Sequence, residues 1–374
     1  MTAWPFILFS IVFAALVGSH FLPAYRAWRS SRGEHPADID PDYVRMEDYF
    51  ARSFRFKMSE WLKLPALETM PDGTRIIRKG DERIRASGPC EYPAESESDE
   101  ILAVDGDFRC GTGCAFHREI HVRGNAFVGA GTRLQSIAVD GNLLLGAGVM
   151  VTRWTDSTGE MEIGSDAVVR ARATSGTFIR MGRGARVGSA FAPIVTTSTG
   201  AGEEEVKPAP AALHRLEIPG SGGAAPGARA GNNREFDPKR LHRLGPDSWL
   251  YRGDLVSPTP LCVKTRLVVR GDCVLPAGSI VEGDLKARGR LEVDKDSVCL
   301  GNVMADRDIS FGSSSRFNGV VHTGRTLRLG RGVVGGDKGG KVAAYSAGIL
   351  FLEENVTVHG KVSSGDHVAV VTGR

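Results

Sequence analysis

Four side chains that commonly bind metal lie close together in the sequence. Cys110, Cys114, His117 and His121 form a C-x3-C-x2-H-x3-H pattern. Thiolate sulfur and imidazole nitrogen are the usual ligands of Zn²⁺, and four of them complete a tetrahedral site. The four side chains can share one ion only if the backbone turns all of them toward one point. The elements that carry them therefore decide whether a metal can bind.

A glycine-rich stretch resembles a phosphate-binding loop. Residues 335–342, GGDKGGKV, fit the pattern G-x4-G-K. The Ser or Thr that should follow the lysine is Val342, and no strand–loop–helix context surrounds the stretch. We therefore expect no nucleotide to bind there.

Two further motifs have a simpler explanation than chemistry. The adhesion tripeptide Arg-Gly-Asp occurs at residues 252–254 and 270–272, and the second copy coincides with the turn of a sequence repeat. Paired carboxylates, a Ser/His/Asp set or a Gly-x-Ser-x-Gly elbow at usable spacing do not occur in the sequence. We predict neither adhesion nor catalysis, and no cofactor.

One phrase is repeated along most of the chain. Val281-x-Gly283-Asp284-Leu285 returns twice, with its glycine at steps of 18 residues, and a finer period near six runs within each copy. Upstream copies have steps of 18 and 17 residues. The glycines that mark the repeat turns are Gly106, Gly124, Gly141, Gly271, Gly283, Gly301, Gly319 and Gly360.

Such a repeat predicts an all-β solenoid, a parallel β-helix with about 18 residues per coil. An apolar-x-apolar pair is a short strand with alternate side chains pointing inward. Gly followed by Asp or Asn marks a turn, where a positive φ or a side-chain-to-backbone bond is needed. One coil cannot bury its own apolar edge, but a stack of coils can.

The repeat also argues against a zinc site. Cys110 and Cys114 fall in columns that Val, Leu and Ala fill in other copies, so they should point inward. His117 falls in a column with Gln135 and Thr152, which should face water. Ligands that point in opposite directions cannot share an ion, so we predict no metal site.

The V-x-G-D/N-Φ phrase at an 18-residue step resembles the bactofilins, the polymer-forming cytoskeletal proteins of bacteria. The likeness covers roughly residues 101–195 and 250–371. It implies a right-handed parallel β-helix that polymerises without nucleotide and often associates with membrane. Bactofilins usually have one β-helix with disordered tails, whereas this chain has two repeat blocks and a long lead-in.

Composition agrees with a repetitive β architecture. The 374 residues include 47 basic and 44 acidic side chains, and the net charge of +3 gives no electrostatic basis for binding nucleic acid. Glycine accounts for 47 of the 374 residues, about one in eight, which is well above the usual share of about 7%. Aromatic residues make up only 7% of the chain. Six scattered cysteines fit a reducing compartment better than a disulfide framework.

An apolar segment near the N-terminus predicts a membrane anchor. Residues 4–22 contain no Lys, Arg, Asp or Glu, and at about 1.5 Å per residue they approach the ~30 Å hydrocarbon core. A cleaved signal peptide is the alternative, but no basic residue precedes the segment. The expected membrane-embedded residues are Trp4, Phe6, Ile7, Leu8, Phe9, Ile11, Val12, Phe13, Leu16, Val17, Phe21 and Leu22.

Basic residues on one flank of this segment predict its orientation. Arg26, Arg29 and Arg32 follow the segment, whereas no Lys or Arg precedes it. The positive-inside rule therefore places the bulk of the chain in the cytoplasm, as a single-pass protein of the bacterial inner membrane.

The chain divides into five predicted segments. Residues 1–23 form the anchor, 24–97 a juxtamembrane helix and linker, 98–195 the first repeat block and 250–374 the second. Residues 196–249 are rich in Pro, Gly and Ala and predict a flexible insertion. We favour one β-helix with a long loop over two separate β-helices, because both blocks share one phrase.

Within the lead-in, residues 42–64 predict a helix with Asp42 as N-cap and Pro65 as the stop. Its apolar stripe should pack on a neighbouring element. The alternative is that it lies on anionic lipid, with Arg45, Arg52, Arg55 and Lys57 alongside. The stripe consists of Tyr43, Met46, Phe50, Phe54, Met58 and Trp61.

We predict that the protein stacks end to end with copies of itself, tethered to the bilayer, as a scaffold for other proteins. The terminal coil of a solenoid exposes unpaired backbone groups and an apolar cross-section. The last coils are rich in aliphatic residues and are the predicted polymer interface: Leu350, Leu352, Val356, Val358, Val362, Val368 and Val370. The alternative is that these residues are ordinary core beneath a short polar tail.

Two alternatives remain open at the level of sequence. Hexapeptide acyltransferases also use six-residue periods, and His322 or His359 would then be the candidate base. An extracytoplasmic carbohydrate-binding β-helix would require the opposite orientation in the membrane.

Overall fold

The computed structural model describes residues 47–197, 216–218, 236–337 and 342–372. The predicted anchor and the three flanking arginines lie outside the described residues, as does most of the predicted insertion. Among the helices in the described ranges, none is both long enough and apolar enough to cross a bilayer.

The described chain consists of short strands with one helix and one 3-10 turn. Helix α1 spans Tyr49–Trp61, and the 3-10 turn spans Pro238–Arg240. The strands before the long gap are β1 Glu68–Thr69, β2 Arg75–Lys79, β3 Glu82–Ser87, β4 Cys90–Tyr92, β5 Glu97–Ser98, β6 Ile101–Val104, β7 Phe108–Cys110, β8 Ala115–Val122, β9 Ala126–Val128, β10 Arg133–Val139, β11 Leu143–Leu145, β12 Met150–Val151, β13 Trp154–Ser157, β14 Glu160–Ile163, β15 Val168–Ser175, β16 Phe178–Met181 and β17 Arg186–Thr196.

Later strands continue the same pattern. They are β18 Leu216–Ile218, β19 Leu241–Gly245, β20 Ser248–Tyr251, β21 Leu255–Val256, β22 Leu261–Val263, β23 Arg266–Val269, β24 Cys273–Leu275, β25 Ile280–Val281, β26 Leu285–Ala287, β27 Leu291–Val293, β28 Val298–Cys299, β29 Val303–Ala305, β30 Ile309–Phe311, β31 Arg316–Phe317, β32 Val321–Thr323, β33 Leu327–Leu329, β34 Val334–Gly335, β35 Val342–Ser346, β36 Leu350–Leu352 and β37 Thr357–Val370.

Strands one coil apart pair in parallel, which confirms the predicted all-β parallel solenoid. Leu267 pairs with Leu285, Leu285 with Val303 and Val303 with Val321, each at a step of 18 residues. The solenoid has about 14 turns of about 18 residues. We call β3–β17 the first block and β19–β37 the second block.

The core is a continuous column of small and medium apolar side chains inside the coils. Three-residue strands such as Leu285–Ala287 and Leu291–Val293 bury their first and third residues and expose the middle one. The apolar column continues through both blocks without a break. Alternation along each strand thus gives each coil one inward and one outward face.

The Asp or Asn of the repeated phrase satisfies backbone groups of the next coil. The Asp284 Oδ1 accepts the backbone N–H of Asn302 at 3.0 Å, and the Asn302 Oδ1 accepts that of Val320 at 2.9 Å. The same ladder runs from Asp107 to Asn125 and Asn142 in the first block. Turn N–H groups that no strand partner reaches are therefore paired.

Most repeat glycines are required by close packing between coils; of the two predicted reasons for the turn residues, the side-chain-to-backbone bond is present, whereas a positive φ is rare. Only Gly106 and Gly360 among the eight have φ in the left-handed region. At Gly301, by contrast, a Cβ would lie 2.3 Å from the carbonyl oxygen of Gly283 in the preceding coil. Stacked turns approach so closely that no side chain fits between them.

The first block begins earlier than residue 98. Strands β3, β4 and β5 already form a coil, because they pair in parallel with β6, β7 and β8. Ahead of this coil, β1, β2 and β3 form an antiparallel meander. The second block similarly begins with the antiparallel hairpin β19–β20.

Helix α1 packs against the outside of the first block. It begins at Tyr49 with Asp48 at the N-cap position and ends at Trp61. The predicted N-cap, Asp42, and the stripe residues Tyr43 and Met46 lie outside the described residues. Phe54 and Met58 are buried, as the apolar stripe predicts, whereas Phe50 is exposed. They pack on apolar residues that point outward from the coils, so this wall of the solenoid is covered on both sides.

We predict that Gly301→Ala destabilises the protein by about 1–3 kcal/mol, because its methyl group would overlap the backbone of the preceding coil. Gly88→Ala is the matched control, since a Cβ at Gly88 meets nothing within 4 Å and Gly88 has no positive φ. Urea unfolding followed by circular dichroism measures both. Equal stability of the two variants would contradict the close-packing explanation.

Candidate assembly interface

The two blocks meet at their C-terminal coils. Strand β17, the last of the first block, pairs antiparallel with β37, the last of the second block. Val187 pairs with Val368, Ala190 with Val362 and Val195 with Val358. On its other edge β37 pairs in parallel with β34, β35 and β36, so all three walls of the last coil take part. We call this contact the joint.

Hydrogen bonds close the joint at one end of the paired strands. The Thr197 N–H donates to the Val356 carbonyl at 2.9 Å, and the Val356 N–H donates to the Thr197 hydroxyl at 3.0 Å. The same hydroxyl donates to the Glu353 carbonyl at 2.6 Å. The backbone groups that a coil end exposes are therefore used within one chain.

The predicted polymer interface lies in this joint or directly beneath it. Val358, Val362 and Val368 are paired with the first block. All seven predicted residues are at most 5% exposed: Leu350, Leu352, Val356, Val358, Val362, Val368 and Val370. These residues therefore do not form a free end within this chain, because the last coil of the first block already covers that end.

The joint also corrects the expectation of one β-helix with a loop. Strands within each block run parallel to their neighbours, but chain direction reverses between β17 and β37. The hydrogen-bonded stack and the core are continuous, whereas the winding of the chain is not. The chain therefore holds two solenoids joined through their C-terminal coils.

Glu47, just before helix α1, contacts both sides of the joint. Its carboxylate lies 3.3 Å from the Arg172 guanidinium on β15 of the first block. It also forms an ion pair with Lys361 on β37 of the second block. Glu47 is only 4% exposed, so these contacts are shielded from water.

A second ionic cluster fixes the middle of the helix. Arg55 donates to Asp140 at 2.6 Å and to the Val139 carbonyl at 2.8 Å, and it forms an ion pair with Asp156. Asp156 also accepts a hydrogen bond from Thr174. Because Asp156 is 5% exposed, its charge depends on Arg55 for compensation.

The two aspartates of this cluster have opposite pKa shifts. Burial raises the pKa of Asp156, although Arg55 and Thr174 oppose that effect. Burial also acts to raise the pKa of Asp140, but hydrogen bonds with His121 and Arg55 outweigh it and lower that pKa to about 2. The stabilisation from Asp140 is thus fully present above about pH 4 and is lost as pH falls toward 2.

The other ends of the two blocks are only partly covered. In the first block, the meander of β1–β3 covers one wall, but in the described residues no strand pairs with the outer edges of β4 and β5. In the second block, β18 covers β22 and β19 covers β20, whereas the described residues contain no outer partner for β21. Aromatic rings fill these ends, with Tyr92 against Phe116 at 5.3 Å and Phe236 stacked on Tyr251 at 5.6 Å.

The four candidate zinc ligands do not converge. Cys110 and Cys114 are buried inside the coils. His117 lies at the surface, 2.8 Å from Glu97, while His121 lies under helix α1, 3.3 Å from Asp140. Within the described residues, no three His, Cys, Asp or Glu side chains are grouped as metal ligands.

Interior cysteines are held as thiols. Burial raises the pKa of Cys110 to about 11 and that of Cys299 to about 12, and it raises the pKa of Cys273 as well. All six cysteines are free. The thiolate is the reactive form of cysteine, so the shifted groups act as small core residues.

The phosphate-loop stretch and the Arg-Gly-Asp tripeptides have structural roles. Leu327 pairs with Leu350 at a step of 23 residues, and Gly335 packs under the ring of Phe317. The five extra residues therefore fall at the glycine-rich stretch, where residues 338–341 lie outside the described part of the chain. The carboxylates of Asp254 and Asp272 both accept backbone N–H groups of the next coil.

The candidate bases of the acyltransferase alternative lie on different strands. His322 is exposed on β32, and its ring stacks on Tyr345 of the next coil at 4.9 Å. His359 is half-buried on β37. They lie in different coils, and His322 uses its ring for stacking.

One functional feature, the joint, was missed from the sequence; the packing of α1 was predicted, but the wall that it covers was not identified. One signal for the docking is present, since all four residues of Ile101–Val104 are apolar and buried. A strand without alternation indicates that both of its faces are covered. The antiparallel sense of the joint has no equivalent signal, because an apolar strand edge accepts either direction.

Comparisons with protein-family models, with curated proteins and with solved structures returned no match for this chain.

We predict that a disulfide between Ser189→Cys and Ser363→Cys forms within one chain, because these two residues are paired across the joint. A protease site inserted after Gly222 would then give two fragments that stay linked until a reductant is added. Non-reducing electrophoresis of the uncut and cut protein measures this. The control pairs Ser189→Cys with Ser310→Cys on β30, which should not link.

Linked species of twice the chain mass would contradict the intramolecular joint. They would show that β17 and β37 pair between copies.

We predict that Arg55→Met destabilises the protein by about 3 kcal/mol or more, because it leaves the buried Asp156 without its counter-ion. Arg52→Met makes the same change on the exposed side of the helix, where a surface ion pair with Asp48 contributes at most about 1 kcal/mol. Urea unfolding and amide exchange of α1 measure the two effects. Equal losses in both variants would refute the role of Arg55.

Proposed function

We propose that this chain is a membrane-tethered structural protein of the bactofilin type, a solenoid scaffold that assembles through coil ends without nucleotide. The joint is the observation that carries the proposal. In it, two coil ends of this sequence pair strand to strand along three walls. The 18-residue coil and the Gly-Asp/Asn turns support the same assignment.

Assembly between copies would use the ends that the joint leaves free. These are the first coils of the two blocks, where the outer edges of β4, β5 and β21 have no partner strand among the described residues. Unpaired N–H and C=O groups at such edges are templates for another strand. Each copy then has two assembly ends, which is the minimum needed for a linear polymer.

A discrete scaffold is the second candidate, and the terminal hairpins favour it. Antiparallel strands cover one wall at the start of each block. Covering an edge with a hairpin is a common way to prevent edge-to-edge association. In this form the protein would be a single tethered rod that recruits other proteins along its sides.

The membrane tether rests on the sequence alone. The apolar residues 4–22 and the basic residues that follow them support an anchored chain with its solenoid in the cytoplasm. The tether would concentrate copies at the bilayer surface and favour contacts between their free ends.

We predict that residues 47–374, without nucleotide, form filaments in negative-stain microscopy, and that Val256→Lys abolishes them. Val256 is 38% exposed on the edge strand β21, where a charge blocks strand addition. Leu300→Lys is the control, because Leu300 is 47% exposed on a turn within the stack and should leave filaments intact.

Discrete particles from the unaltered protein, with the mass of one chain in light scattering, would refute autonomous polymerisation and leave the discrete scaffold. Filaments in all three proteins would refute β21 as the assembly edge.

A further inference from the structure

Exposed large apolar side chains are concentrated around helix α1. Eight such residues occur in the described part of the chain, and four of them lie between residues 49 and 67. They are Tyr49 at 62% exposure, Phe50 at 53%, Phe56 at 69% and Leu67 at 71%. A soluble surface rarely holds three aromatic rings on one short helix without a partner.

The helix is held so that Tyr49 and Phe56 point away from the solenoid. Phe54 and Met58 are buried against the first block, and Arg55 is tied to Asp140 and Asp156. Tyr49 and Phe56 are seven residues apart, which places them one above the other on the opposite side of the helix. The ionic contacts therefore fix the rings in an outward direction.

We propose that this outward aromatic face of α1 binds the surface of a lipid bilayer. Tyr49 lies 27 positions after Leu22, the end of the predicted membrane anchor, so the face belongs to the part of the chain that a tether keeps beside the membrane. Aromatic side chains favour the membrane interface, and the exposed Arg52 and Lys57 on the same helix suit anionic headgroups.

This inference rests on the proposed tether and adds a second, weaker membrane contact. One anchor fixes position but leaves a solenoid free to turn. A second contact through α1 would place the side of the first block that carries the helix against the bilayer. The remaining walls of both blocks would then face the cytoplasm and its proteins.

Flotation of residues 47–374 with vesicles on a density gradient tests the face without the anchor, because filaments of the protein alone do not float and these residues form one compact unit with its own core. The vesicles contain phosphatidylcholine and phosphatidylglycerol in equal parts. We expect binding by the unaltered protein and at least about tenfold weaker binding by the double variant Tyr49→Ser, Phe56→Ser. Leu244→Ser removes a side chain of similar exposure, 59%, from the hairpin β19–β20 and should not change binding.

Thermal unfolding separates loss of the face from loss of the fold, because both changed side chains are exposed and the double variant should keep its melting temperature. Equal binding by all three proteins, or none by the unaltered one, would overturn the proposal. Dimers of residues 47–374 that the double variant abolishes would also overturn it and assign the face to a second copy. Carbonate extraction of membranes that contain the full chain tests the anchor separately.

Discussion

A stack of β-coils always has two ends, and each end exposes unpaired backbone groups around an apolar cross-section. This constraint organises the whole molecule. One pair of ends is satisfied inside the chain, where β17 and β37 pair along every wall of the last coils. Glu47, next to helix α1, forms ion pairs with both sides of that contact. The contact between the two coil ends is therefore part of the fold of a single chain.

Docking of α1 follows from a second constraint, which concerns the outside of the coils. The wall that contains Ile101–Val104 carries apolar residues on both faces, so it needs a cover. The helix provides that cover, but the apolar residues on its opposite side cannot reach the wall. Tyr49 and Phe56 remain exposed to solvent. On the inner side of the helix, the Arg55 guanidinium compensates the charge of the buried Asp156. The exposed rings are thus a consequence of how firmly the inner face is fixed.

Local spacing was enough to predict the coil, because one coil repeats itself. The 18-residue step, the inward columns and the extra five residues before Leu350 are all visible as sequence periodicity. The role of Gly301 could not be read from periodicity. The clash that a Cβ at Gly301 would make with Gly283 depends on the distance between coils and not on the conformation of one residue. The joint could not be predicted for a related reason. Val187 and Val368 obey the same inward pattern as every other coil, and periodicity does not say which edge each will meet.

Because the joint is formed by the last coils of the two blocks, both remaining ends are first coils, and these differ in sequence. One presents β4 and β5 around Tyr92, and the other presents β21 beside the ring pair of Phe236 and Tyr251. Between copies, the first-block end can meet either another first-block end or a second-block end. Only contact between a first-block end and a second-block end repeats one and the same interface along a whole polymer. The antiparallel hairpins cover one wall at each end, so contact between copies is confined to the remaining walls. The uncovered walls would therefore determine which coil ends pair between copies. The side of the first block that carries α1 would determine how such an assembly is oriented on a membrane.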